Sequence, residues 1–271
     1  MDGPLTLDWF RITQPSPGVF AIQEPLQREG VLSYLILGNE RALLIDTGTG
    51  AGSMKVAVET LTDLPVLLVN SHTHWDHVGS NHEFSEIAVH RAEAHELAYQ
   101  YRRDEIAGFF AEDLLLGPLP PGRTVENITI GPSVPTRLLD GGETFDLGGR
   151  TIQAIHTPGH APGLLSFYDE ANGVLLTTDT AYPGPLYAYS DETDLDVYIR
   201  SLEFLADLAP NVTYVHPSHN GDFMDAGLLP KMRDALIEVR DGKAPDRIDD
   251  TKATYDFDGF AVYGPLPRGD R

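Results

Sequence analysis

Residues 72–77 read HTHWDH, directly after the apolar run Pro65-Val66-Leu67-Leu68-Val69. Four side chains able to bind a metal (His72, His74, Asp76 and His77) therefore fall within six residues. An apolar run of this length that gives way to a dense polar cluster reads as a buried strand ending in a ligand-bearing loop. Imidazole nitrogens and a carboxylate suit zinc and its neighbours, whereas calcium or magnesium would require an all-oxygen shell. The fold must accordingly hold this loop rigidly and bring further ligands to it, because neighbours on one loop cannot surround an ion.

The rest of the chain narrows what that site can serve. It contains no cysteine, so disulfides, thiolate nucleophiles and cysteine-rich zinc sites are excluded and any metal chemistry rests on histidine and carboxylate. Its 19 basic and 41 acidic residues give a formal net charge of −22. Such a field repels phosphate backbones and argues against nucleic acid as a partner. An acidic, soluble surface explains the charge, and adaptation to high salt is the second explanation. With 271 residues the chain can bury a large core. No window approaches the roughly 20 apolar residues that span a bilayer, so no membrane segment is expected. The first residues, MDGPLTLDWFRIT, lack the basic and apolar regions of a secretory signal, and cytoplasmic residence is the default expectation.

Strand signals come early, at 18–23, 32–37 and 42–46, with Gly38-Asn39-Glu40 as a turn. A helix is expected over Met54–Leu61 and another, charged one over His90–Arg103. The cluster Gly117-Pro118-Leu119-Pro120-Pro121-Gly122 marks about 105–136 as an irregular insertion or lid. A second series follows: strands over 137–139, 143–147, 151–156, 164–168 and 174–178, with Asn172-Gly173 as a two-residue hairpin turn. Leu195, Ile199, Leu202, Leu205 and Leu208 form one apolar face of a helix over 195–208. A short strand at 212–215 and a helix over 229–240 complete the pattern. Strands followed by a helix thus occur twice, as two similar halves would require. Three further ligand types stand at strand ends of the second half: His160 in HTPGHAPG (156–163), Asp179 after Val174–Thr178, and His219 in HPSHN.

HTHWDH, the later TPGH, the strand-end aspartate and the late histidine resemble, in order and spacing, the metallo-β-lactamase superfamily. They look most like its binuclear hydrolases of the glyoxalase II and acyl-homoserine-lactone lactonase type. The resemblance runs from LLIDTG (43–48) to His219. It implies a single α/β domain over 1–271, an αββα sandwich of two mixed sheets flanked by helices. It also implies that His72, His74 and His160 hold one divalent ion, that Asp76, His77 and His219 hold another, and that Asp179 bridges both. Zinc is the first expectation for the metal, and iron, manganese or cobalt suit the same shell. Asp46, in LLIDTG, matches an aspartate that supports these ligands from behind.

The true β-lactamases of the family commonly carry a cysteine where Asp179 stands, which moves β-lactams down the order of substrates. Thr178 and Ser218 occupy positions where glycine is usual, and Trp75 fills the variable position of HTHWDH. The implied reaction is hydrolysis of a small-molecule carboxylic ester, lactone or thioester by a hydroxide bridging the two ions. Asp76 serves mainly as a ligand and can also accept a proton as the tetrahedral intermediate collapses. Tyr182, three residues beyond Asp179, resembles the lactonase tyrosine that donates to the substrate carbonyl; a structural tyrosine in a Pro/Gly-rich loop is the other reading. Phosphotriester or phosphodiester hydrolysis on the same ion pair is the alternative activity, and a di-iron redox role lacks the flavin domain it usually accompanies. Assembly into a homo-oligomer stays open.

Overall fold

The computed structural model describes residues 3–266. The chain divides into a first compact unit through Gln153 and a second from Ala154 onward. Each unit owns a separate apolar core.

In the first unit the strands are β1 (Leu5–Leu7), β2 (Phe10–Ser16), β3 (Val19–Gln23), β4 (Leu32–Leu37) and β5 (Ala42–Ile45). Helix α1 (Met54–Glu59), β6 (Val66–Val69), the one-turn α2 (Trp75–Val78), β7 (Ile87–His90), α3 (Arg103–Phe109) and β8 (Arg137–Leu139) follow. Strands β1 to β8 lie side by side in chain order in one sheet. Neighbours are antiparallel up to β5 and parallel from β5 to β8. The sequences explain the change. ALLI in β5 is wholly buried, as parallel strands covered on both faces must be. In β2, by contrast, Phe10 and Ile12 are buried while Arg11 is exposed. The parallel strands β5 and β6 both end at the polar segments that carry the site, where open α/β sheets place their ligands.

Strand β9 (Thr144–Asp146) pairs antiparallel with the first residues of β10 (Thr151–His156), which crosses the division. The second unit continues with β11 (Leu165–Asp169), β12 (Val174–Thr178), β13 (Pro185–Tyr187) and α4 (Leu195–Leu208). Next come β14 (Tyr214–Pro217), α5 (Leu228–Arg240), β15 (Arg247–Ile248), β16 (Ala253–Phe257) and β17 (Phe260–Gly264). Its strands run in the order β14-β12-β11-β10, with β13-β17-β16-β15 as a separate small sheet. Helix α4 lies where its apolar face predicts, with Asp194 as N-cap accepting from Val197 N–H. Tyr198, Ile199, Leu202 and Leu205 are buried against α5 residues such as Leu229, Met232 and Leu236.

Three expectations need correction. No helix spans His90–Arg103: β7 occupies its start, turns and a short 3-10 segment follow, and α3 begins only at Arg103. Leu97 is the single large aliphatic side chain there, so the segment offers no apolar stripe for a helix to bury. Asn172-Gly173 does not make a two-residue turn, because Glu170–Asn172 forms a 3-10 turn capped by Gly173 in the left-handed region. The strand expected at 212–215 begins at Tyr214. No helix among the described residues is long and apolar enough to cross a membrane.

One close approach fixes the polar ends of β5 and β6. Gly79 N–H donates to Gly48 O at 2.8 Å, and a Cβ on Gly79 would lie 2.2 Å from Gly50 N and from Thr49 C. Those are backbone atoms and cannot yield. Gly79→Ala is therefore expected to destabilise the protein by about 3 kcal/mol. Gly108→Ala, in α3 with nothing within 4 Å, serves as the control and is expected to be neutral or to stabilise by up to about 1 kcal/mol. Urea unfolding of both variants checks the pair; equal effects would refute the packing account.

Candidate metal centre

In the first unit the site is built behind the ligands before it is built at them. Asp46 ends the LLI run of β5, fully buried, with φ of 64°. Its carboxylate accepts from Ser71 N–H (2.7 Å), from Ser71 Oγ–H (2.6 Å) and from His77 Nδ1 (2.8 Å). A carboxylate facing Nδ1 places the proton on that nitrogen and leaves Nε2 of His77 as the lone-pair donor. The same logic passes through Ser71. Its single hydroxyl proton goes to Asp46, so the 3.0 Å contact between Ser71 Oγ and His72 Nδ1 must be donated by His72. Nε2 of His72 is thereby also a lone-pair donor, and it meets His74 Nδ1 at 3.0 Å. Thr47 N–H donates to His77 O at 2.9 Å, while Asn70 and Thr47 join the Asn81 side chain, so the loop is held from both sides.

In the second unit the TPGH turn is pressed onto α4. Asp194 N–H donates to Gly159 O at 3.0 Å and Ser201 Oγ–H to Pro158 O at 2.6 Å. Gly159 has φ of 137°, and a Cβ there would lie 2.3 Å from Tyr198 Cα. Glycine is required on both counts. His160 Nδ1 faces the Tyr187 carbonyl at 3.0 Å, which makes that nitrogen the donor and again leaves Nε2 for a ligand role. Asp179 Oδ2 lies 3.7 Å from His160 Nε2 and 3.2 Å from His219 Nε2. Tyr198 Oη–H reaches the carbonyls of Asp179 (3.1 Å) and Thr180 (2.9 Å).

Thr178 shows why glycine is usual before this aspartate. It has φ of 49°, a conformation costly for a β-branched residue, at a shift in the β12–β14 register that turns Asp179 out of the strand. Its hydroxyl donates to Leu165 O at 2.8 Å and offsets part of that strain. Ser218 Oγ is buried and makes no hydrogen bond among the described residues.

Each unit thus gathers its own ligand types: His72, His74, Asp76 and His77 in the first, His160, Asp179 and His219 in the second. All seven belong to His/Asp groups able to hold a metal ion. His72, His77 and His160 each turn Nε2 toward a ligand role, and with the buried carboxylates they fit divalent cations of the zinc and iron kind. Tyr182 is buried, its ring edge-on to His219 at 5.2 Å and its Oη accepting from Tyr187 N–H at 3.3 Å. Burial, then the Asp179 charge, pushes its phenol well above the ordinary range, so it keeps its proton. His216 Nδ1 lies 2.7 Å from Asp222 O, and His90 Nδ1 accepts from Ala92 N–H at 3.3 Å. His156 is exposed and lies 2.9 Å from Pro162 O, while His82 and His95 are also exposed.

The chain matches the profile of the metallo-β-lactamase superfamily over residues 26–251. It belongs to that superfamily. Among its relatives is the human acyl-coenzyme A thioesterase MBLAC2, 28% identical over 233 residues that cover 80% of this chain and 83% of the relative. A metallo-β-lactamase from Pontibacter korlensis superposes with a TM-score of 0.63 at 18% identity, covering 84% of this chain and 99% of the other. TTHA1623, solved in a di-iron-bound form, gives a TM-score of 0.56 at 25% identity, covering 76% and 95%. The α/β fold, with mixed sheets and flanking helices, is that of the metallo-β-lactamases. Superfamily membership and the thioesterase relatives support a hydrolase.

Among the residues that shape this superfamily site, the sequence reading missed Ser71, Tyr198 and Glu24. Tyr198 sits on the apolar stripe of α4, where it reads as core. Glu24 is buried beneath the Asp46 loop, accepting from Trp9 Nε1–H at 2.7 Å, from Thr49 N–H at 2.8 Å and from Thr49 Oγ–H. Burial raises its carboxyl from 4.5 to about 7, against the lowering effect of those hydrogen bonds. A raised native value means stability that is full below pH 4.5 and lost as pH rises through about 7. The loss amounts to about 3 kcal/mol. On chelator-treated protein, the stability of wild type relative to Glu24→Gln should decline by that amount between pH 4.5 and 8. Urea titrations that run parallel at all pH values would refute it.

Proposed function

We propose that this chain is a binuclear metal-dependent thioesterase that hydrolyses acyl thioesters, with acyl-coenzyme A as the substrate class. The observation that carries the reading is its likeness to acyl-coenzyme A thioesterases over four-fifths of the chain, joined to a complete set of seven His and Asp ligand types. His72, His74 and His160 would hold one ion, Asp76, His77 and His219 the other, and Asp179 would serve both. The di-iron form of TTHA1623 supports two ions and admits iron beside zinc. A pair of divalent ions supplies hydroxide near neutral pH and polarises a carbonyl oxygen.

The chain's own groups then orient and stabilise. Asp46, Ser71 and the Tyr187 carbonyl hold three imidazoles in one tautomer, so no reorganisation is needed when substrate enters. Tyr182 already accepts from Tyr187 N–H and retains its own proton, leaving Oη–H to donate to the oxygen of the substrate carbonyl as negative charge gathers there. Loss of one such donor costs about 100-fold in turnover. Asp76 can take a proton as the tetrahedral intermediate collapses, beyond its ligand role.

Acyl-coenzyme A, S-lactoylglutathione, acyl-homoserine lactones and p-nitrophenyl phosphate esters, each with and without chelator, test the assignment. Chelator-sensitive turnover is expected on acyl-coenzyme A, and preference for the phosphate esters would overturn the reading. Tyr182→Phe is expected to lower kcat about 100-fold with metal content unchanged; unaltered kcat would leave Tyr182 a structural residue. The net charge of −22 opposes the phosphates of coenzyme A. Accordingly kcat/KM for acyl-coenzyme A should rise with added salt while that for an uncharged thioester stays flat, and equal salt responses would remove the electrostatic account.

A further inference from the structure

Trp75 stands between two of the proposed ligands, His74 and Asp76, and is half-buried at the rim of the first unit's core. Its indole lies flat on the Phe109 ring, with centroids 4.2 Å apart and planes 7° from parallel. Phe109 continues edge-on to Tyr101 at 5.7 Å, and Tyr101 to Tyr99 at 5.0 Å. Trp75, Phe109 and Tyr101 are each half-buried, whereas Phe110, edge-on to Trp75 at 6.0 Å, is 2% exposed and belongs to the core. The result is a ladder of rings that climbs from the ligand loop to the surface with aromatic area left open along its length. Single exposed apolar residues need no explanation, but a contiguous stack beginning at a ligand loop does.

The ladder is also firmly mounted. Helix α3, which carries Phe109, is fastened by Arg103 Nη1 to Ile128 O at 3.1 Å and to Glu126 O, and Tyr101 N–H donates to Ile130 O at 3.3 Å. Glu105 closes its first turn by accepting from Arg102 N–H at 2.7 Å. Burial first, then the charges of Asp76, Glu105 and Glu96, push the Tyr101 phenol upward, while Arg102 Nη1 donates to Tyr99 Oη at 3.1 Å at the outer end of the ladder. The open ring area between the ligand loop and Tyr101 is apolar, and a neutral alkyl chain gains by covering it.

We propose that Trp75, Phe109 and Tyr101 form the acyl-chain subsite, with their ring faces lining the path of an alkyl chain whose carbonyl lies at the ligand loop. The inference rests on the thioesterase reading and adds a preference for medium or long acyl groups. It also gives the segment after residue 103 a role: its aromatic face selects the chain.

Two measurements test it. The ratio of kcat/KM for lauroyl- over acetyl-coenzyme A is expected to favour lauroyl in wild type and to fall about tenfold in Phe109→Ala and in Tyr101→Ala. An unchanged ratio in both overturns the subsite. Independently of turnover, the neutral probe 1-decanol titrated into metal-free wild type should give a saturable change in tryptophan emission. Of the two tryptophans, Trp9 is only 1% exposed, so the signal reports Trp75. Absence of a saturable change in wild type also overturns the proposal. If wild type hydrolyses no thioester yet binds 1-decanol through Trp75, the thioesterase reading fails and the apolar subsite stands.

Discussion

The carboxylate of Asp46 is the contact on which the first half of the site depends. It reaches two histidines, His77 directly and His72 through the Ser71 hydroxyl, and in each case decides which nitrogen carries the proton. Without it either imidazole could turn its N–H toward the ligand position. The second unit reaches the same result by another route, since the Tyr187 carbonyl holds His160 Nδ1. That carbonyl belongs to β13, whose place in the small C-terminal sheet is fixed by parallel pairing with β17. A sheet far from the motifs in sequence thus sets the tautomer of a proposed ligand.

Holding these groups costs backbone strain, and the strain is concentrated. Three of the four non-glycine described residues with positive φ, Asp46, Thr178 and Asn220, respectively support the proposed ligands, precede Asp179 and follow His219, the fourth being Asp8 in the turn before β2. Residues in this region cost on the order of 1–3 kcal/mol each and persist only where the surroundings over-determine them. The surroundings do so here. Asp46 is locked by three donors and Thr178 by its bond to Leu165 O, while asparagine at position 220 is a residue type that tolerates the left-handed region. The outliers mark where strands must release their chains abruptly so that side chains point along the sheet edge instead of across it.

Much of this was legible in the sequence because ligands and strands announce themselves by type and period. Four ligand types in HTHWDH, the glycine of TPGH and the five-residue apolar stripe of α4 all appear where read. Supporting residues are harder to read, because their roles are tertiary. Ser71 is an ordinary polar residue until Asp46 is seen 25 positions upstream at hydrogen-bond distance. Tyr198 lies on an apolar face and reads as core, though its hydroxyl holds the Asp179 carbonyl. The small sheet β13-β17-β16-β15 went unread because β15 has two residues and β13 is interrupted by proline and glycine neighbours. In His90–Arg103, helix-forming residues without an apolar stripe yielded to turns, as propensity yields when there is no face to bury.

The placement of acid groups carries the argument one step further. The first unit buries Glu24, Asp46 and Asp76 within one stretch of structure, in a protein already carrying a large negative charge. Burying carboxylates is costly unless donors or cations compensate. Asp46 meets that cost with three donors and Glu24 with a raised affinity for a proton. Asp76 lies beside the imidazole of His77, with Oδ2 3.7 Å from Nε2, the nitrogen that Asp46 keeps unprotonated. A lone-pair nitrogen and a carboxylate facing one another gain little from each other and much from a cation placed between them. A cation bound at this edge, as proposed, would therefore be coupled through the tautomer set by Asp46 to the stability of the unit.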